Sequence, residues 1–330
     1  MYIITIDTGT TNTRVCAWQD ERLLAEAARP VGVRDTAISG STETLMKGVS
    51  DAVNDARSQA KIPAGEKVVY LSAGMITSNV GLCEIPHLLA PAGLNELAKG
   101  MVCANLPAIT DEPIWFVPGI RNHKSAVTLE NAEQMDMMRG EETEAIGVLA
   151  SLGITGPALI ILPGSHSKFV KIDADNRIEG CVTTIGGELL DVITRHTILA
   201  SSLNLQFAQE IEAPALLQGA NQCLQTGLSR TCFSVRVLDM FSDLTLNQKA
   251  NVLLGAVLQD DLQAVKNSEA FTVTPQTHVV VCGKDTLKFA FATLIDNDPW
   301  FTGKITVAPS SRSLSSAGLF AMARRRQILP

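Results

Sequence analysis

The feature that most constrains the fold is an apolar run, Tyr2-Ile3-Ile4-Thr5-Ile6, that halts at Asp7 and resumes after one polar turn. The turn reads Asp7-Thr8-Gly9-Thr10-Thr11-Asn12-Thr13-Arg14, and the chain continues Val15-Cys16-Ala17-Trp18. A short apolar run rich in β-branched residues reads as a buried strand, and two such runs joined by a Gly-containing polar turn read as a hairpin. The same unit recurs at residues 158–172, where the strand 158–162 leads through Pro163-Gly164-Ser165-His166-Ser167-Lys168 into the strand 169–172. Residues 22–29 and 178–184 supply a third strand to each copy. The two copies share no sequence, yet they predict two α/β halves with a cleft between them.

The segments between them fit that plan. Residues 42–60 carry Leu45, Val49, Val53 and Ala56 at helical spacing. Strands are expected at 68–72, 114–117, 277–282 and 304–308, and helices at 135–152, opening near Arg139-Gly140-Glu141-Glu142, and at 313–325. Residues 187–270 read as mostly helical. A chain of 330 residues has room for two domains, placed at 1–140 and 141–330, with the final helix crossing back onto the first.

Composition narrows the function. The formal net charge is −7, and Arg324-Arg325-Arg326 is the one run of like charge. Such a chain has no general electrostatic reason to bind nucleic acid. Its seven cysteines are scattered, odd in number and free of C-x-x-C pairs, which fits a reducing cytoplasm better than a disulfide framework. Met1 leads into the first strand without a basic leader, and no apolar run approaches the ~18 residues of a membrane span. A cytoplasmic location is expected. An acidic protein that binds an anion must use local cations and backbone N–H groups, which directs attention to Gly-containing loops.

The first turn suits a phosphate. Gly9 permits close approach, and the hydroxyls and N–H groups of Thr10, Thr11 and Asn12 can form an anion-binding concavity. Asp7, at the strand end, can hold Mg2+ through water, because hard cations prefer oxygen. Arg14 can reach a phosphate or carboxylate with two parallel hydrogen bonds.

Three further segments make the likeness specific: Met138-Arg139-Gly140-Glu141-Glu142-Thr143, the stretch from Leu162 through Val170, and Ser72-Ala73-Gly74-Met75 with Ser78-Asn79-Val80-Gly81. With the first turn they resemble the 2-dehydro-3-deoxygalactonokinase family, part of the superfamily that joins sugar kinases, actin and heat-shock ATPases. The resemblance runs over nearly the whole chain. It implies a two-domain actin-like (ribonuclease H-like) ATPase fold with a mixed sheet in each domain. It further implies transfer of the ATP γ-phosphate to the 6-hydroxyl of 2-dehydro-3-deoxy-D-galactonate. The rival readings are a kinase of the same fold for another sugar or sugar acid, and a non-catalytic nucleotide-dependent sensor. A homodimer is left open.

The resemblance also suggests roles. Gly164, Ser165, His166 and Lys168 stand where the second phosphate loop belongs, although the superfamily's loop is richer in Gly and Thr. In related kinases a carboxylate at the head of the connecting helix deprotonates the attacking hydroxyl, which assigns that task to Glu141 or to Glu142. Arg139 is a candidate for the substrate carboxylate or a phosphate. Gly74, Thr77 and Asn79 are candidates for the polyol, and Arg121, His123 and Lys124 for the substrate carboxylate against the plainer reading of a solvated basic loop. Gly283, closing the strand 277–282, is expected near adenosine. His87, His196 and His278 show no metal-ligand spacing and read as structural.

Overall fold

The computed structural model describes residues 1–122, 126–310 and 313–330. In chain order the first half runs β1 (Tyr2–Thr8), β2 (Thr13–Gln19), β3 (Arg22–Arg29), α1 (Val33–Ser39), α2 (Glu43–Gln59), β4 (Val68–Gly74), β5 (Leu88–Leu89), α3 (Leu94–Gly100), β6 (Val102–Ala104), β7 (Ile114–Phe116), β8 (Ile120–Arg121) and β9 (Met137–Met138). Helix α4 (Glu141–Leu152) leads into β10 (Ala158–Leu162), β11 (Ser167–Ile172) and β12 (Ile178–Thr184). The helical stretch follows as α5 (Gly186–His196), α6 (Leu199–Ser202), α7 (Ala213–Thr226), α8 (Leu228–Phe241) and α9 (Leu246–Asn267). The chain then passes through β13 (His278–Val281), α10 (Asp285–Asp296), β14 (Ile305–Val307) and α11 (Leu314–Arg325).

Both expected hairpins form, and each seeds a sheet of the same design. In the first sheet the order is β3-β2-β1-β4-β7-β6, and in the second it is β12-β11-β10-β13-β14. β1 is antiparallel to β2 and parallel to β4, and β10 is likewise antiparallel to β11 and parallel to β13. In each half the hairpin therefore lies beside a parallel pair, with the first strand of the unit in the middle. That shared order is the actin-like arrangement.

Alternation along the central strands explains the layering. Ile4, Ile6, Tyr70 and Phe116 pack with Leu45, Val49 and Val53 of α2. Their neighbours Ile3 and Leu71 turn inward, into a core shared with Ile160 and Val170 of the second sheet and with α4 and α11. On the outer face of the second sheet, Leu159, Ile161 and Val281 pack under α7, α9 and α10. Helices α4 and α11 thus lie between the two sheets. They cross at Gly147 and Gly318, where a methyl on either glycine would overlap the other helix's backbone at Leu314 or Thr143. The last helix does reach the first half: Ser316 Oγ lies 3.1 Å from Thr5 Oγ1, Arg326 donates to the Lys99 carbonyl at 2.9 Å, and Arg324 pairs with Glu21.

Two expectations need correction. The helix expected over 135–152 begins only at Glu141, because Gly140 sits at φ 119°, outside the helical region, and Met137–Met138 pairs with β8 instead. Asn122 and Asp136, read with the first half, are bonded to the second sheet. Asn122 exchanges two hydrogen bonds with Cys181 of β12 (3.0 and 2.9 Å), and Asp136 accepts from the Thr183 hydroxyl at 2.9 Å. The short helices α1 and α3 escaped the helical-period reading. Each starts after a glycine whose N–H is accepted by an acid three residues on, Asp35 for Gly32 and Glu96 for Gly93 (2.9 and 2.8 Å).

Candidate active site

A cavity of about 1070 Å3 runs between the two sheets, and both hairpin turns open into it. One wall is Asp7, Thr8, Gly9, Arg14 and Gly74, from the ends of β1, β2 and β4. Opposite stand Pro163, Gly164, Ser165 and His166, and the head of α4 supplies Arg139, Gly140, Glu141 and Glu144. One end of the cavity is apolar, formed by Leu190, Leu203, Phe207, Leu253 and Leu254, with Gly283 and Lys284 at its edge. The sequence reading had assigned that helical region no role.

The first turn is closed by Gly9 N–H donating to the Asn12 carbonyl at 2.8 Å. The carbonyls of Gly9 and Thr10 accept from Val33 and Arg34 at the start of α1, so they are spent away from any ligand. Thr10, Thr11 and Asn12 are exposed at the tip and do not line the cavity, whereas Gly9 does. Asp7 pairs in register with Arg14 across the hairpin. Burial pushes its carboxyl up to about 6, against the pull of Arg14 and with a further push from Glu141. Arg14 is mostly exposed and meets Glu26 at 3.2 Å, an exposed pair that costs little to break.

At the head of α4 three carboxylates part company. Glu141 lines the cleft, and its Oε2 accepts from Arg139 N–H at 3.1 Å. Glu142 is fully buried, folds back to accept from Gly140 N–H at 2.9 and 2.8 Å, and does not line the cleft. Burial, then Glu141, pushes its carboxyl up to about 8. Glu144 lies one turn beyond Glu141 on the same face and lines the cleft near Asp7. Burial, then Asp7, pushes its carboxyl up to about 8. The sequence reading missed Glu144, although the i, i+3 spacing from Glu141 was visible.

Arg139 touches the cleft, yet its donors are committed to the loop before it. Its Nη1 donates to the Thr77 carbonyl and hydroxyl, both at 2.6 Å, and its Nη2 donates to the Ile85 carbonyl at 3.0 Å and faces His87 Nδ1 at 3.2 Å. Burial, with Arg139 and Arg121 nearby, lowers His87 to about 4, so its neutral ring can accept. Arg139 therefore braces residues 77–87. Thr77 is wholly buried in that brace and Asn79 is exposed; neither lines the cavity, while Gly74 does. His123 and Lys124 lie outside the described residues.

The second turn divides in the same way. Gly164, Ser165 and His166 face the cleft, with His166 Nε2 at 2.9 Å from Glu188 Oε2. Lys168 does not. It pairs with Leu162 as the first closed rung of the hairpin, is 5% exposed, and points its ammonium at the Met137 carbonyl (2.8 Å) and the Thr183 hydroxyl. The expected facing of Asp7 and Arg14 with Ser165 across one cleft is present, but the partnership with Lys168 is not. Gly283 also lines the cavity, beside Pro163 of the second turn.

Hard oxygen donors suit a divalent cation; among the described residues no cluster of three or more His, Cys, Asp or Glu forms a complete site, and two carboxylates stand available. Asp7 and Glu144 both carry carboxylates into the cleft, and among the described residues no hydrogen-bond donor holds either side chain.

Two sheets of one order around a cleft, with paired turns and carboxylates at the head of the linking helix, define the actin-like fold class. Within that class the chain belongs to the 2-keto-3-deoxy-galactonokinase family, whose sequence profile matches residues 7–321. It is 34% identical over 205 residues to a probable 2-dehydro-3-deoxygalactonokinase of Rhizobium meliloti (strain 1021), covering 61% of this chain and 59% of that protein. It is 27% identical over 265 residues to the 2-dehydro-3-deoxygalactonokinase of Escherichia coli (strain K12), covering 80% of each. A crystal structure from Sinorhizobium meliloti, provisionally named for the same kinase, aligns over 99% of both chains with a TM-score of 0.74 at 25% identity.

Proposed function

We propose that this chain transfers the γ-phosphate of ATP to the 6-hydroxyl of 2-dehydro-3-deoxy-D-galactonate, giving 2-dehydro-3-deoxy-6-phosphogalactonate. The observation that carries the reading is the convergence of Asp7, Gly9, Glu141 and the Gly164–His166 turn on one cavity. Family membership selects the sugar acid. ATP lies with its base toward Leu203, Phe207 and Leu253, near Gly283, and its phosphates between the two turns. Glu141 is the base for the attacking hydroxyl, since Glu142 is folded away from the cleft. Mg2+ is the metal, held through Asp7 and Glu144, and it supplies charge neutralisation at the phosphate oxygens. The substrate binds toward Gly74, on the wall braced by Arg139 and Thr77.

Division at residue 140 completes the reading, with the two halves closing on substrate to exclude water. What supports it is the start of the linking helix at Glu141, between the two sheets. A cytoplasmic location is supported by the free state of all seven cysteines. Among the described residues no helix is long and apolar enough to cross a membrane. A homodimer is supported by Phe233, Val237, Met240 and Phe241, exposed along one side of α8. Sedimentation velocity showing only the single chain would refute that assembly.

The test of function is ADP release by the purified protein with ATP and a panel of sugar acids, followed by 31P NMR of the product. The expected result is a preference for 2-dehydro-3-deoxy-D-galactonate and a phosphomonoester on carbon 6. Equal or better turnover of another acid would transfer the assignment to that acid, and ATP turnover without a phosphorylated acceptor would refute the kinase reading.

A further inference from the structure

The second phosphate turn hangs on the head of α5. Glu188 N–H donates to the Ser165 carbonyl at 2.9 Å, and the Glu188 carboxylate meets His166. The residues before it are Gly186 and Gly187, and neither has room for a side chain. A methyl on Gly187 would overlap the Gly164 carbonyl, and a methyl on Gly186 would overlap the carboxylate of Asp261, which reaches in from α9. The tandem glycine is thus clamped, with the phosphate turn on one side and a single carboxylate on the other.

That carboxylate has no visible duty of its own. Asp261 is 5% exposed, its Oδ2 has no hydrogen-bond partner among the described residues, and it does not line the cleft. Ser167 and Thr184, cross-strand partners in register, point buried hydroxyls that also lack partners. The Thr184 hydroxyl lies close to Asp261 without hydrogen-bond geometry. Buried polar groups without partners lower stability, so their presence calls for a role other than holding the fold together. An acidic group sits at the positive end of α5, where burial nevertheless pushes its carboxyl up to about 7.

We propose that Asp261 is a positioning residue for the second phosphate turn. By filling the space beneath Gly186 it sets how far the head of α5, and the Gly164–His166 turn seated on it, projects into the cleft. The inference rests on the reading of that turn as a grip for the ATP phosphates. Asp261 touches no substrate; it acts through Gly186, Gly187 and Glu188.

The test is titration calorimetry with a non-hydrolysable ATP analogue, beside steady-state KM values for both substrates. Asp261→Ala removes the support and weakens analogue binding and KM for ATP about tenfold, with KM for the sugar acid changed less than about twofold. Asp261→Asn keeps the shape and stays within about threefold of the wild type. Gly186→Ala alone weakens nucleotide binding, and in the double variant Gly186→Ala/Asp261→Ala the methyl enters the vacated space and recovers part of the loss, a coupling read as non-additivity. Should Asp261→Ala fail to fold, Gly186→Ala must weaken nucleotide binding selectively and Asp261→Asn must not. Variants that lower only Tm, or that shift both KM values together, overturn the positioning role. A wild-type protein that does not bind the analogue refutes the phosphate-turn reading itself; a wild type that binds it alongside unaltered variants refutes this inference alone.

Discussion

Lysine 168 separates two accounts of the second turn. As a phosphate ligand it would matter to ATP and little to the fold, whereas the structure makes it a strut. Its ammonium donates to the Met137 carbonyl and the Thr183 hydroxyl, and Thr183 in turn donates to Asp136. Lys168→Met keeps most of the apolar stem and deletes the charge. It leaves a half-buried carbonyl without its donor, while the Thr183 hydroxyl keeps its bond to Asp136 at 2.9 Å. Hydrogen bonds to a charged group contribute about 1.5–3 kcal/mol each, so a loss of about 2–4 kcal/mol is expected. At about 2–4 °C per kcal/mol, Tm falls by roughly 4–16 °C. Differential scanning fluorimetry reads the stability, and KM for ATP read on folded protein at low temperature stays within about threefold of the wild type. A KM for ATP raised tens of times with Tm unmoved would refute the strut and restore Lys168 to the phosphates.

Three further outcomes follow from the head of α4 and its crossing. Glu141→Gln lowers kcat by about 10²–10⁴ with KM values little changed, the loss expected of a general base, and Glu142→Gln does not; single-turnover kinetics distinguish them. The Glu142 carboxyl is raised from 4.5 to about 8 in the folded protein, so the stability it contributes is full below pH 4.5 and is lost as the pH rises through 8. Glu142→Gln removes that loss, and its Tm advantage over the wild type grows from pH 5 to pH 8; a constant difference would disprove the assignment. Gly318→Ala forces a methyl against the Thr143 carbonyl, and urea denaturation registers a loss of about 1–3 kcal/mol.

The repeated strand–turn–strand unit was legible because buried central strands leave long apolar runs, and both sheets grew around those runs as read. The site was legible where a residue's direction follows from its place in the turn, as with Asp7, Gly9 and Ser165. It was not legible where direction depends on where a turn ends. Lys168 reads as a turn residue, but its pairing with Leu162 makes it part of the strand and sends its side chain inward. Glu141 and Glu142 are indistinguishable as letters, yet neighbours on a helix lie about 100° apart, so only one can face the cleft. Arg139 and Thr77 each suggested a ligand because each is polar, and they satisfy one another instead. The apolar end of the cavity gave no signal, since Leu203, Phe207 and Leu253 look like any core residues until the helices are placed.

The crossing of α4 and α11 also bears on how the protein comes into being. Thr143 and Ser315, facing hydroxyls at that crossing, stand 172 positions apart in the chain. Ser315, Ser316 and Leu319 complete the wall of the cleft, so the cleft is not closed on the ribosome until α11 has emerged. Through that interval the part of the shared core that Leu319, Phe320 and Met322 of α11 fill stays open. A nascent chain in that state lacks a finished cleft and carries apolar surface that only the last helix buries.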